Sequence, residues 1–162
     1  MKFPDSGRPI EQQDEDTLLA MLVWGEARGE SPEGRLAVAH VPLTRMMKRK
    51  TMRKTGISLR EIILTPWQFS CFNKSDPNRD KLLRPVELEG LDRWAACWRS
   101  AALALSDPSG NPAPGATHYV VRRLWSRPAA DPNRPKWFEA PNIPSRTQLI
   151  AQIGHHVFAR TA

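Results

Sequence analysis

The first strong pattern in the chain is an apolar run at helical spacing that ends in a short acidic block. Residues 18–23 are all apolar, which predicts a core-facing helix over about 14–27. The run ends in Trp24-Gly25-Glu26-Ala27-Arg28-Gly29-Glu30, where the glycines let backbone or a ligand approach closely. Ser31-Pro32 then supplies an N-cap residue and a proline for the first position of a second helix. Glu26 is therefore expected between two packed helices.

Three further stretches carry helical signals. The second helix has apolar residues at 36, 37, 41 and 43, and Pro42 inside it is expected to kink its axis. The segment Ser58-Leu59-Arg60-Glu61 has capping-box spacing directly before an apolar triplet, which predicts the start of a short helix. The longest periodic pattern covers 85–106, and its spacing places Trp94 and Trp98 in the core.

Other stretches predict a small strand component. Residues 67–73 alternate polar and apolar side chains, which favours a short extended segment or hairpin. Residues 117–121 have strand propensity, and residues 155–158 are expected to add a strand beside them. Residues 147–153 are interpreted as a last helical piece. These patterns predict an α+β fold that is mostly helical, with a small β-hairpin or sheet.

The chain is organised as one domain. Residues 1–13 are polar and contain two prolines, which predicts a flexible N-terminal arm ahead of a single domain at 14–162. Residues 122–144 are rich in proline, arginine and tryptophan, and loops of that length are usually functional or disordered. A chain of 162 residues can bury a core without disulfides or metals.

The protein is strongly basic, with a formal net charge of +7 and a pI of about 10.0. Such a surface favours an anionic partner, and nucleic acid and anionic cell-wall polymer both satisfy that condition. The basic run at 45–54 is interpreted as a solvated helix end and loop. No apolar run approaches the roughly 18 residues of a membrane span, so no stable membrane insertion is expected.

Targeting and cofactor signals are weak. The first sixteen residues lack the apolar segment of a secretory signal, so we expect synthesis in the cytoplasm and another route to any site outside it. Cys71 and Cys97 lack metal-ligand spacing and are expected to be free buried thiols. Neighbouring side chains on a strand point to opposite faces, so His155-His156 is a poor chelate. We expect no metal and no cofactor.

Four sequence blocks occur in the order found in a known enzyme family. They are Gly25-Glu26-Ala27-Arg28-Gly29-Glu30 with Glu33-Gly34 and Ala37-Val38-Ala39; Pro66-Trp67-Gln68-Phe69-Ser70; Asp107-Pro108-Ser109-Gly110 leading to Ala116-Thr117-His118-Tyr119; and Ile153-Gly154-His155-His156-Val157-Phe158. Together they span roughly residues 14–158 and resemble the SleB/CwlJ-type cell-wall hydrolase family, named for spore-cortex-lytic enzymes and also found among phage lysins. Residues 67–79 are similar to the phage and proteobacterial branch. The chain departs from the family at Pro42 and, relative to the spore branch, at Val120 and Val121.

The resemblance implies a lysozyme-like fold and cleavage of the peptidoglycan glycan strand as a lytic transglycosylase. It also makes Glu26 the general acid and base of the reaction. Gln68, Ser70 and Tyr119 are then candidates for binding sugar hydroxyls and N-acetyl groups, with local backbone capping as the alternative.

Several neighbours of these residues are further candidates. Phe69 packs under a sugar face or fills the core, and His118 donates to the substrate or to a buried carbonyl. Supporting roles around the acid are assigned to Arg28, Glu30 and Trp67. We expect Glu30 to pair with Arg28 or Arg35 rather than to act in catalysis.

The number of acidic candidates bears on the reaction type. Ordinary glycosidases use two carboxylates, and here Glu26 is the one strong candidate. One acid suffices if the muramic N-acetyl group stabilises the developing cation and the 6-hydroxyl of the same sugar attacks, giving a 1,6-anhydro product. The alternatives are a hydrolytic muramidase with Glu30 as second carboxylate and an N-acetylmuramoyl-L-alanine amidase. An amidase would need zinc ligands or a nucleophile triad, and the sequence shows neither.

Two alternatives involve no catalysis. A basic nucleic-acid-binding protein would use residues 45–54 and the arginines of 122–134. The sequence has no helix-turn-helix, zinc-finger or aromatic RNA-binding motif, so no nucleic-acid partner is expected. A catalytically inactive wall-binding module is disfavoured by the intact Glu26.

The expected biological role is that of a phage endolysin of Gram-negative hosts, with a bacterial or prophage wall-remodelling enzyme as the alternative. We expect a monomer that accumulates in the host cytoplasm and reaches the periplasm once a holin opens the membrane. Its partners would be peptidoglycan glycan strands and the anionic cell envelope, which attracts its basic surface.

Overall fold

The computed structural model describes residues 1–52, 56–127, 131–132 and 147–161. Within these residues it contains six α-helices and a three-stranded sheet. The helices are α1 (Glu15–Ala27), α2 (Pro32–Met52), α3 (Leu59–Leu64), α4 (Pro85–Glu89), α5 (Leu91–Ser106) and α6 (Arg122–Trp125), and the strands are β1 (His118–Val121), β2 (Thr147–Ile153) and β3 (His156–Thr161). The prediction of a mostly helical α+β fold is confirmed.

Helix α1 lies at the centre of the core. Its residues 17–24 are all buried, and it packs against α2, α3 and α5. A helix that is apolar on every face is stable only when other elements cover it on all sides. Its last turn differs, because Gly25 and Glu26 are partly exposed. The central helix therefore carries Glu26 to the point where the core opens toward solvent.

Local start signals predicted two helices correctly. Helix α2 begins at Pro32, and the Oγ of Ser31 accepts a hydrogen bond from the Gly34 N–H at 3.2 Å. Helix α3 follows a complete capping box between Ser58 and Glu61, in which each side chain accepts from the other residue's backbone N–H. Pro42 lies inside α2, and the kink expected there stays a prediction.

The helix predicted over 85–106 is divided into α4 and α5. The two meet at Gly90, whose φ of 84° lies in the left-handed region that glycine adopts at little cost. Beyond this break, Trp94 is fully buried and Trp98 packs partly buried against the core. The periodic spacing placed both tryptophans correctly, although it missed the break.

The three strands form an antiparallel sheet in the order β1-β3-β2. Tyr119 on β1 pairs with Phe158 on β3, which confirms the strand expected beside 117–121. The helix predicted over 147–153 is wrong, because these residues form β2 and pair with β3. The turn at Gly154, with φ of 56°, brings the two strands together, and their backbone hydrogen bonds outweigh a weak helical pattern.

The extended segment or hairpin predicted over 67–73 is also wrong. The chain makes a tight turn at Trp67, and a 3-10 helix covers Ser70–Phe72. Phe69, Cys71 and Phe72 are all buried in this compact arrangement. Their alternation with polar residues therefore comes from a folded turn and not from a strand.

The predicted N-terminal arm, residues 1–13, contacts the domain. Ile10 is buried in the core, and the Lys2 carbonyl accepts a hydrogen bond from the Trp94 indole N–H at 3.0 Å. Of the loop predicted over 122–144, the first residues form α6, and most of the remainder lies outside the described residues.

The two cysteines, Cys71 and Cys97, are free and buried, as expected. In the part of the chain that the structure describes, no helix combines the length and apolar character needed to cross a membrane.

Candidate active site

Glu26 lies at a cavity of about 260 Å³ between the end of α1, the 67–70 turn and strand β1. The cavity brings together side chains from four separate stretches of sequence, among them all six residues proposed for catalysis and substrate binding. Its described lining residues are Glu26, Arg45, Trp67, Gln68, Phe69, Ser70, His118 and Tyr119.

The Glu26 carboxylate is held through one of its two oxygens. Its Oε1 accepts a hydrogen bond from Ser70 Oγ at 3.0 Å and another from the Cys71 N–H at 3.0 Å. A carboxylate oxygen that accepts two donors is fixed in orientation. These two bonds occupy Oε1 and leave the second oxygen as the one that could exchange a proton with a ligand.

Gly25 permits this geometry. A Cβ added at Gly25 would lie 2.8 Å from both the Cβ and the Sγ of Cys71, closer than real Cβ contacts allow. Only glycine therefore lets the 3-10 helix sit against the last turn of α1. The Cys71 N–H then comes within hydrogen-bonding distance of Glu26.

Tyr119 forms part of the cavity wall beside the acid. Its ring packs against Phe69, with centroids 6.4 Å apart, and edge-on against His156 at 5.3 Å. Its hydroxyl is buried and close to the Glu26 carboxylate, but it makes no hydrogen bond of good geometry with any described residue. Burial and then the charge of Glu26 raise the pKa of Tyr119 well above its usual range. The hydroxyl therefore keeps its proton and is available as a donor.

Arg45 is a cavity residue that the sequence did not reveal. Its Nε donates to the Thr117 carbonyl, and its guanidinium lies 4.8 Å from the centre of the Phe69 ring. Burial lowers the pKa of Arg45 to about 10, which still leaves it charged at neutral pH. The interpretation of 45–54 as a uniformly solvated run is therefore wrong at its first residue, since packing against Phe69 and Thr117 partly buries it.

Arg45 also determines how Gln68 presents its amide. Arg45 Nη1 donates to Gln68 Oε1 at 3.0 Å. Because a guanidinium has only donors, the amide atom that faces it must be the oxygen. The Gln68 amide nitrogen is thereby left as a donor at the cavity, and no described residue accepts from it. This nitrogen could donate to an acceptor on a ligand, such as an N-acetyl carbonyl.

His118 lines the cavity as a neutral imidazole. Its Nδ1 lies 3.0 Å from Thr117 Oγ1 and 3.4 Å from Thr161 Oγ1. Burial, and after it the charges of Arg45 and Lys48, lower the pKa of His118 to about 4. At neutral pH the ring carries no charge and has one donor and one acceptor nitrogen.

Glu30 is bound to histidine, which corrects the pairing expected with Arg28 or Arg35. Its carboxylate accepts from the His155 N–H at 3.0 Å and lies 2.9 Å from His155 Nδ1. Arg35 contacts the Glu30 backbone carbonyl instead. Burial raises the pKa of Glu30, but the hydrogen bonds from His155 outweigh it and the net pKa is lowered. Glu30 therefore joins the β2–β3 turn to the loop between α1 and α2.

Arg28 and Trp67 lie at the edges of the site. Arg28 pairs with Glu89 at 2.5 Å, and its guanidinium sits 4.5 Å from the centre of the Trp24 ring. It borders a small cavity of about 120 Å³ that shares Ser70 with the main one. Trp67 is at the rim, with 78% of its surface exposed. Neither residue contacts Glu26 through a hydrogen bond among the described residues.

A sequence model of the cell wall hydrolase family matches residues 29–159. The chain belongs to this family. The match confirms the resemblance to SleB/CwlJ-type enzymes, and this cell-wall hydrolase is an enzyme that degrades peptidoglycan. The matched range begins three residues after Glu26, so it does not include this residue, and the role of Glu26 as the acid stays a prediction.

Structural comparison gives the fold. The cell-wall hydrolase is similar to the catalytic domain of the germination-specific lytic transglycosylase SleB from Bacillus anthracis, with a TM-score of 0.60 and 22% sequence identity. The similarity covers 92% of this chain and 96% of that domain, and it confirms the lysozyme-like fold. The comparison with curated proteins found no match.

Potential metal ligands are scattered over the part of the chain that the structure describes. Within the described residues of this cell-wall hydrolase, no three or more histidines, cysteines, aspartates and glutamates are grouped to hold a metal ion. The Gln68 amide nitrogen and the Tyr119 hydroxyl offer hydrogen-bond donors at this cavity, which suit an oxygen-rich ligand such as a sugar.

Replacing Arg45 with methionine should lower kcat/KM of this hydrolase on peptidoglycan roughly tenfold, equivalent to about 1.4 kcal/mol. Methionine keeps apolar contact with Phe69 but frees the Gln68 amide to rotate. Gln68→Ala should cause a similar loss, and the double variant should be little worse than either single one, because Arg45 acts through Gln68. Arg49→Met, one turn along α2, is the matched control. Fully additive losses would show that Arg45 does not act by orienting Gln68.

Proposed function

We propose that this hydrolase is a lytic transglycosylase that cleaves the bond between N-acetylmuramic acid and N-acetylglucosamine, with Glu26 as its single acid and base. The observation that carries the proposal is that Glu26 is the one carboxyl group among the described residues lining the cavity. Two-carboxylate glycosidases need a second such group beside the scissile bond. The similar solved domain is itself a lytic transglycosylase, which favours the same reaction class.

The reaction balances without water. Glu26 gives its proton to the glycosidic oxygen as the bond from that oxygen to the muramic C1 breaks, so that the departing N-acetylglucosamine leaves with a free hydroxyl. The muramic N-acetyl carbonyl stabilises the positive charge that develops at C1. The 6-hydroxyl of the same sugar then forms a new bond to C1 and returns its proton to the Glu26 carboxylate. The products are a 1,6-anhydromuramic end and the shortened glycan.

The described residues supply the positioning that this sequence of steps needs. Ser70 Oγ and the Cys71 N–H hold Glu26 Oε1, which leaves the other oxygen to carry the proton. The Gln68 amide nitrogen and the Tyr119 hydroxyl are donors for N-acetyl or hydroxyl oxygens of the sugar. Fixed donors of this kind speed a reaction because they are oriented before the substrate binds.

A hydrolytic muramidase with Glu30 as its second carboxylate has less support. The Glu30 carboxylate is hydrogen-bonded to both the backbone N–H and the ring of His155, and its side chain is only 8% exposed. It does not appear among the described residues that line the Glu26 cavity. To activate a water at the cavity, it would have to give up both hydrogen bonds from His155.

Mass spectrometry of muropeptides released from purified Gram-negative sacculi tests the reaction class. We expect 1,6-anhydromuramic ends as the main product. Reducing muramic ends would identify a hydrolytic muramidase, and free stem peptides would identify an amidase. Either of the latter two results would overturn the transglycosylase assignment.

The biological role within this proposal is that of a phage endolysin that acts on the wall of Gram-negative hosts. Residues 67–79 resemble the phage branch, and the net charge of +7 favours accumulation on an anionic envelope. In this role the enzyme collects in the host cytoplasm as a monomer and reaches the periplasm after a holin opens the inner membrane. Its attraction to the envelope should weaken with added salt.

A further inference from the structure

Trp67 combines a strained backbone conformation with an exposed aromatic side chain. Its φ of 65° lies in the left-handed region, which a bulky residue rarely adopts. Its side chain is 78% exposed, although aromatic side chains of this size usually contribute to cores. Such strain persists only where the structure enforces it, and it is concentrated at ligand-binding and active sites. Neither the backbone nor the side chain of Trp67 is therefore placed for stability.

Two contacts hold the turn that presents this side chain. The Gln68 N–H donates to the Thr65 carbonyl at 3.2 Å, and the Trp67 N–H donates to Asn73 Oδ1 at 3.0 Å. These bonds fix the backbone on both sides of the strained residue. The point on the surface from which the indole projects is thereby fixed.

Trp67 separates two cavities. On one side is the cavity that contains Glu26, and on the other is a larger one of about 470 Å³. The larger volume is within the roughly 300–1,000 Å³ that small ligands occupy. Its lining combines apolar and polar side chains. The apolar ones include Leu64, Pro66 and Phe72, and the polar ones include Asn73, Arg79 and Glu11, the last two paired at 2.5 Å.

This combination suits a sugar ring. A pyranose has a face of C–H groups that packs on the electron-rich face of an aromatic ring, and hydroxyls at its edge that need polar partners. A glycan strand is a linear polymer, so a strand cleaved at Glu26 must continue out of the small cavity. Trp67 lies where the two cavities adjoin, and it is shared by both.

We propose that Trp67 and the second cavity form a carbohydrate subsite that binds further N-acetylated sugars of the same glycan strand. The proposal rests on the proposed function, because it takes the strand at Glu26 as the source of those sugars. Trp67 is a specificity-determining residue: it selects long glycan strands over short fragments and takes no part in proton transfer.

The test measures binding without turnover, in a Glu26→Gln background. The probes are β-1,4-linked N-acetylglucosamine oligomers, a disaccharide and a hexasaccharide, and Kd is measured by calorimetry. Trp67→Ala should raise the Kd for the hexasaccharide about tenfold, the loss typical of an aromatic anchor. The Kd for the disaccharide should not change. Equal losses for both lengths, or no loss for either, would overturn the subsite.

Two more variants separate binding from folding. Glycine adopts a left-handed backbone without strain, so the Trp67→Gly variant should have a melting temperature no lower than that of the Trp67→Ala variant. Both variants should lose the same affinity for the hexasaccharide. Ser75→Trp fills the exposed wall of the second cavity and should reproduce the loss with Trp67 intact. Leu105→Trp, which introduces the same side chain at a different cavity, between α2 and α5, is its control. Unchanged hexasaccharide binding by Ser75→Trp would place the strand elsewhere.

The subsite and the reaction can fail independently. If the sugar oligomers bind as described but Glu26→Gln keeps its activity on sacculi, the proposed reaction is wrong and the subsite stands. Isolated stem peptides could instead compete for the site, and Trp67→Ala could weaken the binding of peptides and not of sugars. In that case the occupant is peptide and the subsite proposal is overturned.

Discussion

Glu26→Gln should lower the rate of peptidoglycan solubilisation roughly 10²- to 10⁴-fold, the range for loss of a general acid and base. Glutamine keeps the shape of the side chain, and its amide oxygen can still accept from Ser70 Oγ and the Cys71 N–H. What it lacks is the proton that the glycosidic oxygen requires. The measurement is the release of soluble fragments from purified Gram-negative sacculi, with thermal unfolding recorded in parallel.

The matched control is Glu33→Gln, which makes the same change at an exposed glutamate in the first turn of α2. It should retain the wild-type rate, and both variants should unfold at the temperature of the parent. Near-wild-type solubilisation by Glu26→Gln would remove Glu26 from the mechanism. If Glu26→Gln is inactive and also has a lower melting temperature, the loss of activity comes from a destabilised fold. The expected result therefore includes an unchanged melting temperature.

Gly154→Ala should strongly destabilise the protein. Gly154 has φ of 56°, and an added Cβ would collide with Glu30 Oε2. The left-handed backbone and the overpacked contact together cost about 3 kcal/mol. In a chain of this size we expect the melting temperature to fall by roughly 10 °C. Calorimetry or circular dichroism measures the shift.

Two comparisons isolate the cause. Gly29→Ala adds the same methyl group where no atom lies within 4 Å, and it should melt close to the parent. In a Glu30→Ala background, Gly154→Ala should cost less than in the parent, because the colliding carboxylate is gone and only the backbone cost remains. An equal cost in both backgrounds would show that contact with Glu30 does not explain the requirement for glycine.

Elements with local signals were predictable. Helix α1 follows from its apolar run, and α2 and α3 follow from their N-cap residues, because a helix start depends on side chains within a few positions of it. The same local rules did not predict the break at Gly90 or strand β2, because they consider only side chains a few positions apart. Residues 147–153 have no strong local preference, so pairing with β3 decides their conformation.

The candidate site was predictable as a set of residues but not as an arrangement. The sequence blocks named Glu26, Gln68, Ser70 and Tyr119, yet none of them signals the left-handed turn at Trp67. Arg45 was hidden in a basic run, since a partly buried arginine and a solvated one look alike in sequence. Its contact with Thr117 spans 72 residues, and no local rule predicts it.

The sequence alone determined that one glutamate stands at the end of a buried helix, within blocks that identify a cell-wall hydrolase. Tertiary structure decided what surrounds it. Ser70 and Cys71, which hold Glu26, are 44 and 45 residues away along the chain, and His155, which binds Glu30, is 125 residues away. Hydrogen bonds between such distant segments depend on how the helices and the sheet pack, and local propensity carries no information about that packing.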